Sequence, residues 1–298
     1  MWLINAILAA VCFGLRGILY QWTSRKPANR NLMLFGAFLS GALAATAAAL
    51  LTGQRWVAAN WIGCLMGLWS FIGNASMYRG FASGKASLVA LLTALPPVVV
   101  VVTAYLLWGQ TLNVVQAIGF IAIIAGILMI RYSSDISLED LKSVHWGLIA
   151  LLAFGFNDTT STQAMRWGAP VFPTMFGMFA TGALLFGVSW LIEKNRAGKL
   201  PASRAHQETA AAGGQKPWRT WKTVTWGMVV GSTNFFGMYF ILHAFDTGIA
   251  GLVSAVTALN VVIILIYAGV FLKERFTLKE WTGGICALAG LMTLHLAG

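Results

Sequence analysis

The chain has few charged residues, few cysteines and few histidines. Only 10% of its 298 residues are charged and 58% are hydrophobic, whereas a soluble domain carries roughly a quarter charged residues, so the composition excludes an aqueous fold. The three cysteines lie inside apolar stretches without metal-ligand spacing, and the four histidines lie near the ends of such stretches or in a basic loop. We therefore expect no metal centre and no cofactor.

Other missing motifs narrow the function classes further. The sequence holds no Walker loop, so ATP-driven pumping by this chain is disfavoured. It also lacks a paired acid and base, or a nucleophile beside a base, so an intramembrane lipid-modifying enzyme is the weaker alternative and we expect no catalytic residues. The formal charge of +11 comes from Lys and Arg scattered over loops, which argues against nucleic acid as a partner.

Long apolar runs fill most of the chain. A helix needs about 20 apolar residues to cross a hydrocarbon core of about 30 Å. By that measure the sequence predicts an all-α integral membrane protein, in the lipid bilayer of the cell membrane, with ten transmembrane helices. They are expected at about residues 2–22, 32–52, 58–81, 86–108, 112–131, 146–167, 171–192, 223–245, 250–272 and 278–297.

The two halves of the chain repeat each other. A shift of 164 positions carries residues 61–131 onto the second half without a gap, for example Gly84 onto Gly248, and a shift of 141 carries Gly14 onto Gly155. The predicted repeats are residues 1–131 and 146–298, joined by a loop at 132–145. Because each half has an odd number of spans, the repeats are predicted to be inverted five-helix units. A duplicated membrane unit is the usual construction of a secondary transporter.

Glycines recur within the repeat at the spacing that lets helices approach closely in lipid. Gly63 and Gly67 are four residues apart in the third span, and Gly227 and Gly231 are their copies in the eighth. We interpret both pairs as helix-packing positions rather than as ligand sites.

Loop charge predicts the orientation. Of the 20 Lys and Arg residues, 16 fall in loops on one side, only Arg55 and Arg166 fall on the other, and Arg16 and Arg79 lie within spans. Basic loops stay cytoplasmic, so both termini are expected outside the cytoplasm. The basic loop at 194–222 is expected to be a mobile cytoplasmic linker.

A family resemblance rests on motifs near the end of each half. The first copy reads Ala86-Ser87-Leu88-Val89 and Thr93-Ala94-Leu95-Pro96, then Trp108-Gly109-Gln110; the second reads Ala250-Gly251-Leu252-Val253 and Thr257-Ala258-Leu259-Asn260, then Leu272-Lys273-Glu274-Arg275. With its ten predicted spans, the whole chain resembles the drug/metabolite transporter superfamily, in particular its EamA-type members. The resemblance implies a central cavity and alternating access. It leaves the substrate open, because members move amino acids, organic cations, sugars and nucleotide sugars. The chain departs from the family pattern at Gly109-Gln110, where Gly-Glu is common.

Two charges are predicted near the middle of the membrane. Asp158 lies 12 residues into a span that starts near Trp146, about 18 Å deep at 1.5 Å per residue. It belongs to a run of seven polar residues from Asn157 to Gln163, which includes Thr159 and must face protein or water. Arg16 reaches a similar depth in the first span, and the repeat aligns it with Asn157. An Arg16–Asp158 ion pair across the repeat interface is the natural hypothesis.

The remaining candidate residues lie in four other spans. Pro96 and Pro97 interrupt the fourth span, and Asn260 occupies the equivalent place in the ninth, so we expect a hinge or a broken helix there, with a static kink as the alternative. Aromatic and amide side chains of the third and eighth spans are candidates for caging an ammonium group. These residues are Trp69, Asn74, Tyr78, Asn234 and Tyr239.

Together these features predict a secondary transporter for a small polar metabolite. Arg16 and Asp158 would suit an amino acid or similar zwitterion by meeting its carboxylate and its ammonium group separately, and Asp158 would couple transport to protons. The alternatives are an organic cation or quaternary amine held by Asp158 and aromatic rings, or facilitated transport of a sugar. The number of subunits is left open.

Overall fold

A computed structural model describes residues 1–24, 26–83, 86–131, 141–197, 218–271 and 277–296. The described part of the chain is helical and contains no strand. In chain order the helices are α1 Trp2–Ser24, α2 Arg30–Leu51, α3 Ile62–Ser83, α4 Ala86–Leu92, α5 Pro96–Trp108, α6 Val114–Arg131, α7 Leu141–Arg166, α8 Val171–Ala197, α9 Thr220–Thr247, α10 Ala250–Ala258, α11 Asn260–Phe271 and α12 Leu278–Leu296. A short 3₁₀ turn, Ala58–Trp61, precedes α3.

Six helical stretches in the described residues are long and apolar enough to cross a bilayer. They are Trp2–Thr23, Arg30–Leu51, Val89–Trp108, Val171–Arg196, Thr220–Thr247 and Ala250–Phe271. α6 is apolar but shorter, and α7 contains the polar run, which lowers its mean hydropathy. The chain is therefore a multi-pass membrane protein, and the count of ten spans stays a prediction.

The outer surface has the character expected for contact with lipid. Large apolar side chains are exposed on helices of both halves, among them Leu106, Ile121, Leu184, Phe236 and Ile285. In water so much exposed apolar surface would drive aggregation, whereas a bilayer solvates it.

Several predicted boundaries differ from the structure. The spans expected at 86–108 and 250–272 are each divided into two helices. The connecting loop expected at 132–145 is shorter, because α7 already begins at Leu141, and the basic loop expected at 194–222 is bounded by α8 ending at Ala197 and α9 beginning at Thr220. Residues 132–140 and 198–217 lie outside the described residues, so the predicted mobility of the basic loop is not described.

Helices of the first half pack mainly on helices of the second half. α1 contacts α9, α10 and α11, and its counterpart α7 contacts α3, α4 and α5. α2 packs on α8 and α9, and α8 packs in the same way on α2 and α3. The largest fully buried side chains come from helices of both halves, including Leu34 of α2, Met66 of α3, and Phe179 and Phe186 of α8.

Glycine contacts show the direction of the paired helices. A Cβ placed on Gly119 of α6 would lie 3.1 Å from the carbonyl oxygen of Gly290, and one on Gly126 would lie 2.5 Å from that of Gly283. The contact is reciprocal, because a Cβ on Gly283 would in turn meet the Gly126 carbonyl and one on Gly290 would meet that of Gly119. As the earlier glycine of α6 meets the later glycine of α12, these two helices run antiparallel.

The glycine pairs of the third and eighth predicted spans also lie at helix contacts. Gly63 and Gly67 of α3 lie against backbone carbonyls of α8, and Gly227 and Gly231 of α9 lie against backbone carbonyls of α2. Their packing role agrees with the interpretation drawn from the sequence.

Candidate functional site

One cavity of about 850 Å³ lies between the two halves. On α1 its lining runs from Phe13 to Gln21, so it extends from the middle of that helix toward its C-terminal end. Among the predicted site residues, those that line this cavity are Arg16, Asn74, Pro96, Pro97, Asn157, Asp158, Asn234 and Asn260.

Arg16 brings a positive charge to the cavity. Its Nη1 donates a hydrogen bond of 2.5 Å to Oδ1 of Asn234 on α9. Its guanidinium carbon also lies 4.5 Å from the ring centroid of Phe13, one turn earlier on α1. The guanidinium group has five N–H donors, so this single bond leaves donors for a ligand.

Asp158 brings a negative charge to the same cavity. Its Oδ2 accepts a hydrogen bond of 2.6 Å from the hydroxyl of Ser254 on α10. The predicted Arg16–Asp158 ion pair is not formed: within the described residues each of these charges bonds to a neutral partner. Asn234 and Ser254 occupy the positions next to the charges, and this placement cannot be read from the spacing of charges along the chain.

The bonds at the cavity follow the repeat of the sequence. Asn157, the copy of Arg16, accepts a 3.3 Å hydrogen bond from Ser70, and Ser70 is the copy of Asn234. The same two positions of the repeat therefore meet twice, once as a charged arginine bonded to a neutral asparagine and once as two neutral side chains. The asymmetry of the cavity comes from side-chain identity at matching positions.

Most of the polar run on α7 bonds to its own helix. The hydroxyls of Thr159, Thr160, Ser161 and Thr162 each donate to the carbonyl four residues earlier, at 2.6–3.0 Å. All four side chains are buried. The run therefore faces protein, and only its first two residues line the cavity.

Four predicted site residues do not line the cavity. Thr159 shares a 2.7 Å hydrogen bond with Thr103 of α5, and Trp69 packs on Phe156. The ring of Tyr78 lies under the Arg30 guanidinium. Tyr239 stacks on Phe172 and contacts the tilted ring of His243. The rings fill gaps between helices, so this structure does not place them as a cage for an ammonium group.

The two broken helices meet the cavity at their breaks. α4 ends at Leu92 and α5 begins at Pro96. Because Pro96 and Pro97 lack N–H groups, neither can donate a helical bond to a carbonyl of the preceding turn. The second break falls at Leu259, between α10 and α11. A hinge motion at these positions stays a prediction.

The sequence analysis missed several polar residues that line the cavity. They include Tyr20, Gln21, Thr93, Ser254 and Thr257. Thr93 and Thr257 are copies of each other, and the presence of the same polar residue in both copies could have identified them as candidate site residues. Ser254 occupies the position of Ala90 in the first copy, so the repeat does not predict a polar side chain there.

Side-chain contacts join α5 and α7 near their C-terminal ends. The indole N–H of Trp108 donates to Oε1 of Gln163 at 2.8 Å, and the Arg166 guanidinium lies 5.2 Å from the Trp108 ring centroid. Gln110, at the position where the family commonly carries Glu, accepts a 3.3 Å bond from the backbone N–H of Ala250. This bond connects the first half to the start of α10.

The cavity presents hydrogen-bonding groups and two opposite charges but no metal-ligand cluster. Within the described residues no group of three His, Cys, Asp or Glu side chains is placed to hold a metal ion. The arrangement is suited to binding a small polar molecule by ionic contacts and hydrogen bonds.

Two packed halves, a polar cavity between them and an apolar exterior define a membrane protein of the transporter class. The chain belongs to the EamA-like transporter family, within the drug/metabolite transporter superfamily: the family profile matches residues 1–132 and again residues 141–296. The resemblance inferred from the sequence is thereby confirmed.

Known structures support the fold. One solved structure, described only as the crystal structure of a protein, superposes with a TM-score of 0.76 at 14% identity, covering 99% of this chain and 96% of its own. At that identity the likeness concerns the fold alone. No curated protein matches the chain.

Proposed function

We propose that this protein is a secondary transporter that moves an amino acid or similar small zwitterion by alternating access. The observation that carries the proposal is that Arg16 and Asp158 line one cavity while each bonds to a neutral side chain. Unneutralised charges at membrane depth are costly and mark substrate or ion pathways. A zwitterion would supply the opposite charge to both.

The proposal includes ten spans in two inverted repeats, in the cell membrane. It is supported by the antiparallel contact of α6 with α12, made by copies of the same two glycines, and by the matching contacts of α1 and α7. The cavity lining follows α1 toward its C-terminal end, and the Trp108–Gln163 bond joins α5 and α7 near their own C-terminal ends. In the proposed cycle the two related halves exchange conformations, so that the cavity opens to one side and then to the other.

A ligand screen on three proteins separates the substrate classes. Purified parent, Arg16→Gln and Asp158→Asn are heated with amino acids, amines or sugars, because a bound ligand stabilises the folded state. We expect an amino acid to raise the Tm of the parent and to lose most of that effect in both variants. An amine whose effect depends on Asp158 alone would favour organic cations instead, and a sugar whose effect depends on neither charge would favour a facilitator.

We also propose that Asp158 couples transport to protons. It is the one carboxylate among the described residues that lines the cavity, and in the proposed cycle it is reached from each side in turn. Asp158→Asn should abolish uphill uptake driven by a pH gradient in liposomes while exchange of substrate survives. Asp246→Asn, at the exposed end of α9, is the matched control and should behave like the parent. Retained uphill uptake in Asp158→Asn would refute the coupling.

A further inference from the structure

Three tryptophans meet where α1 ends and α9 begins. The ring centroids of Trp22 and Trp226 are 4.7 Å apart, and that of Trp218 lies 6.4 Å from each. The backbone N–H of Trp218 donates to the carbonyl of Pro27 at 2.8 Å, which fixes the residues before α9 against the turn after α1. We call these three rings the tryptophan triad.

Two lysines cover the tryptophan triad. The Nζ of Lys26 lies 5.1 Å from the ring centroid of Trp22, and the Nζ of Lys222 lies 4.6 Å from that of Trp218. Both lysines are exposed. Contact with a ring face leaves N–H groups of each ammonium free to donate to another acceptor.

No carboxylate of the described residues bonds to either lysine. Asp158 lies in the cavity, and Asp246 lies at the far end of α9. Glu193 accepts from two asparagine amides at the start of α2, and Glu280 accepts from the residue that precedes α12. Among the described residues, these two lysines therefore lie on neighbouring rings of the tryptophan triad without a carboxylate partner.

Exposed apolar side chains continue from the tryptophan triad toward the middle of the membrane. Leu15 lies two turns from Trp22 on the same face of α1 and is 45% exposed. Val229, one turn from Trp226 on α9, is 49% exposed. An acyl chain could lie against these residues while its headgroup stays at the level of the lysines.

We infer that the tryptophan triad with Lys26 and Lys222 binds an anionic glycerophospholipid from the surrounding leaflet. A phosphodiester headgroup offers acceptor oxygens to both ammonium groups, and its net negative charge supplies what the described residues lack. A choline headgroup would bring a third positive charge to the same place. Because α1 belongs to the first half and α9 to the second, the bound lipid joins the halves, independently of the transported substrate.

Native mass spectrometry of the full chain in detergent tests the inference. The protein is titrated with phosphatidylglycerol or with phosphatidylcholine of the same acyl chains, and the fraction retaining one lipid is measured. We expect preferential retention of phosphatidylglycerol by the parent. At about 1 kcal/mol for each lysine, Lys26→Gln with Lys222→Gln should weaken this binding about 30-fold.

Two variants separate a built site from general surface charge. Lys194 lies 5.3 Å from the ring centroid of a single tryptophan, Trp190, near the end of α8. Lys194→Gln should bind phosphatidylglycerol like the parent, and so should Lys26→Arg with Lys222→Arg, which keeps both charges and checks that the surface tolerates change. Undiminished binding in the double glutamine variant, or equal loss in Lys194→Gln, would overturn the inference. Displacement of the lipid by inorganic phosphate alone would assign the site to a free anion instead.

Discussion

Arg16 and Asp158 each have a neutral hydrogen-bond partner, so neither charge is neutralised by the other. An Arg–carboxylate pair would satisfy both charges within the protein, and a substrate would then have to break that pair before binding. Asn234 and Ser254 each provide one hydrogen bond without neutralising the charge. The chain therefore keeps two opposite charges in one cavity at the cost of their mutual attraction.

The repeat offers an internal control for the Arg16–Asn234 bond. Asn234→Ala should destabilise the protein by about 2 kcal/mol. It removes the buried amide oxygen that accepts the hydrogen bond from the charged Arg16 guanidinium. Ser70→Ala, at the matching position, removes a 3.3 Å bond between neutral groups and should cost about 1 kcal/mol or less. Thermal unfolding in one detergent measures both. Equal losses would show that the charge on Arg16 adds nothing to its bond.

Sequence reasoning found the charged residues but not all of their surroundings. Charges stand out in an apolar helix because burial makes them rare, and Arg16 and Asp158 were identified on that ground. Ser254 was not, since a single serine in a membrane helix commonly bonds to its own backbone. Trp69, Tyr78 and Tyr239 are candidates from the sequence for caging an ammonium group, whereas in the structure their rings contact side chains of other helices, because a large ring in a helix is most often used for packing.

At the scale of whole helices, small residues decide how closely pairs approach. A Cβ on Gly67 would lie 2.5 Å from the carbonyl oxygen of Met178, so α3 and α8 would have to move apart. A Cβ on Gly284 of α12 would have no neighbouring atom within 4 Å. Both are glycines within helices, but only one lies at a close helix contact.

Substitution of these two glycines by alanine should change the stability in opposite directions. Gly67→Ala should lower the stability by about 1–3 kcal/mol through overpacking. Gly284→Ala should raise it by about 0.5–1 kcal/mol, because alanine restricts the unfolded chain and favours a helix. Thermal unfolding of both variants against the parent measures the difference. A stabilising Gly67→Ala would mean that α3 and α8 are not tightly packed.

Helix limits show what apolar patterning can and cannot predict. Runs of apolar residues located most helices within a few residues, since burial in lipid requires them. The prolines mark the break before α5, and Asn260, at the equivalent place in the repeat, marks the break at Leu259, which contains no proline. α7 was expected to begin at Trp146 and begins at Leu141, because a helix can continue beyond its apolar part.

For the whole molecule, charge asymmetry predicts which end faces the cytoplasm. Arg55 follows α2 at the end where both predicted termini lie, and Asn195 lies near the end of α8 at the opposite, basic end; both are exposed. In a background without Cys12, Cys64 and Cys286, Arg55→Cys should react with an impermeant thiol reagent in intact cells. Asn195→Cys should react only after the membrane is opened. The reverse labelling pattern would invert the orientation and leave the repeat unaffected.

The reciprocal contact of α6 with α12 has a consequence for how such a chain can arise. Gly119 meets Gly290, the copy of Gly126, and Gly126 meets Gly283, the copy of Gly119. Such a reciprocal exchange of positions is found in the isologous interface of a twofold dimer. A single five-helix unit would carry both sides of this contact on one surface. Two unfused copies inserted in opposite directions could therefore associate through it, and joining them in one chain fixes their ratio at one to one. After such a fusion each copy is free to change alone, as Arg16 and Asn157 have done.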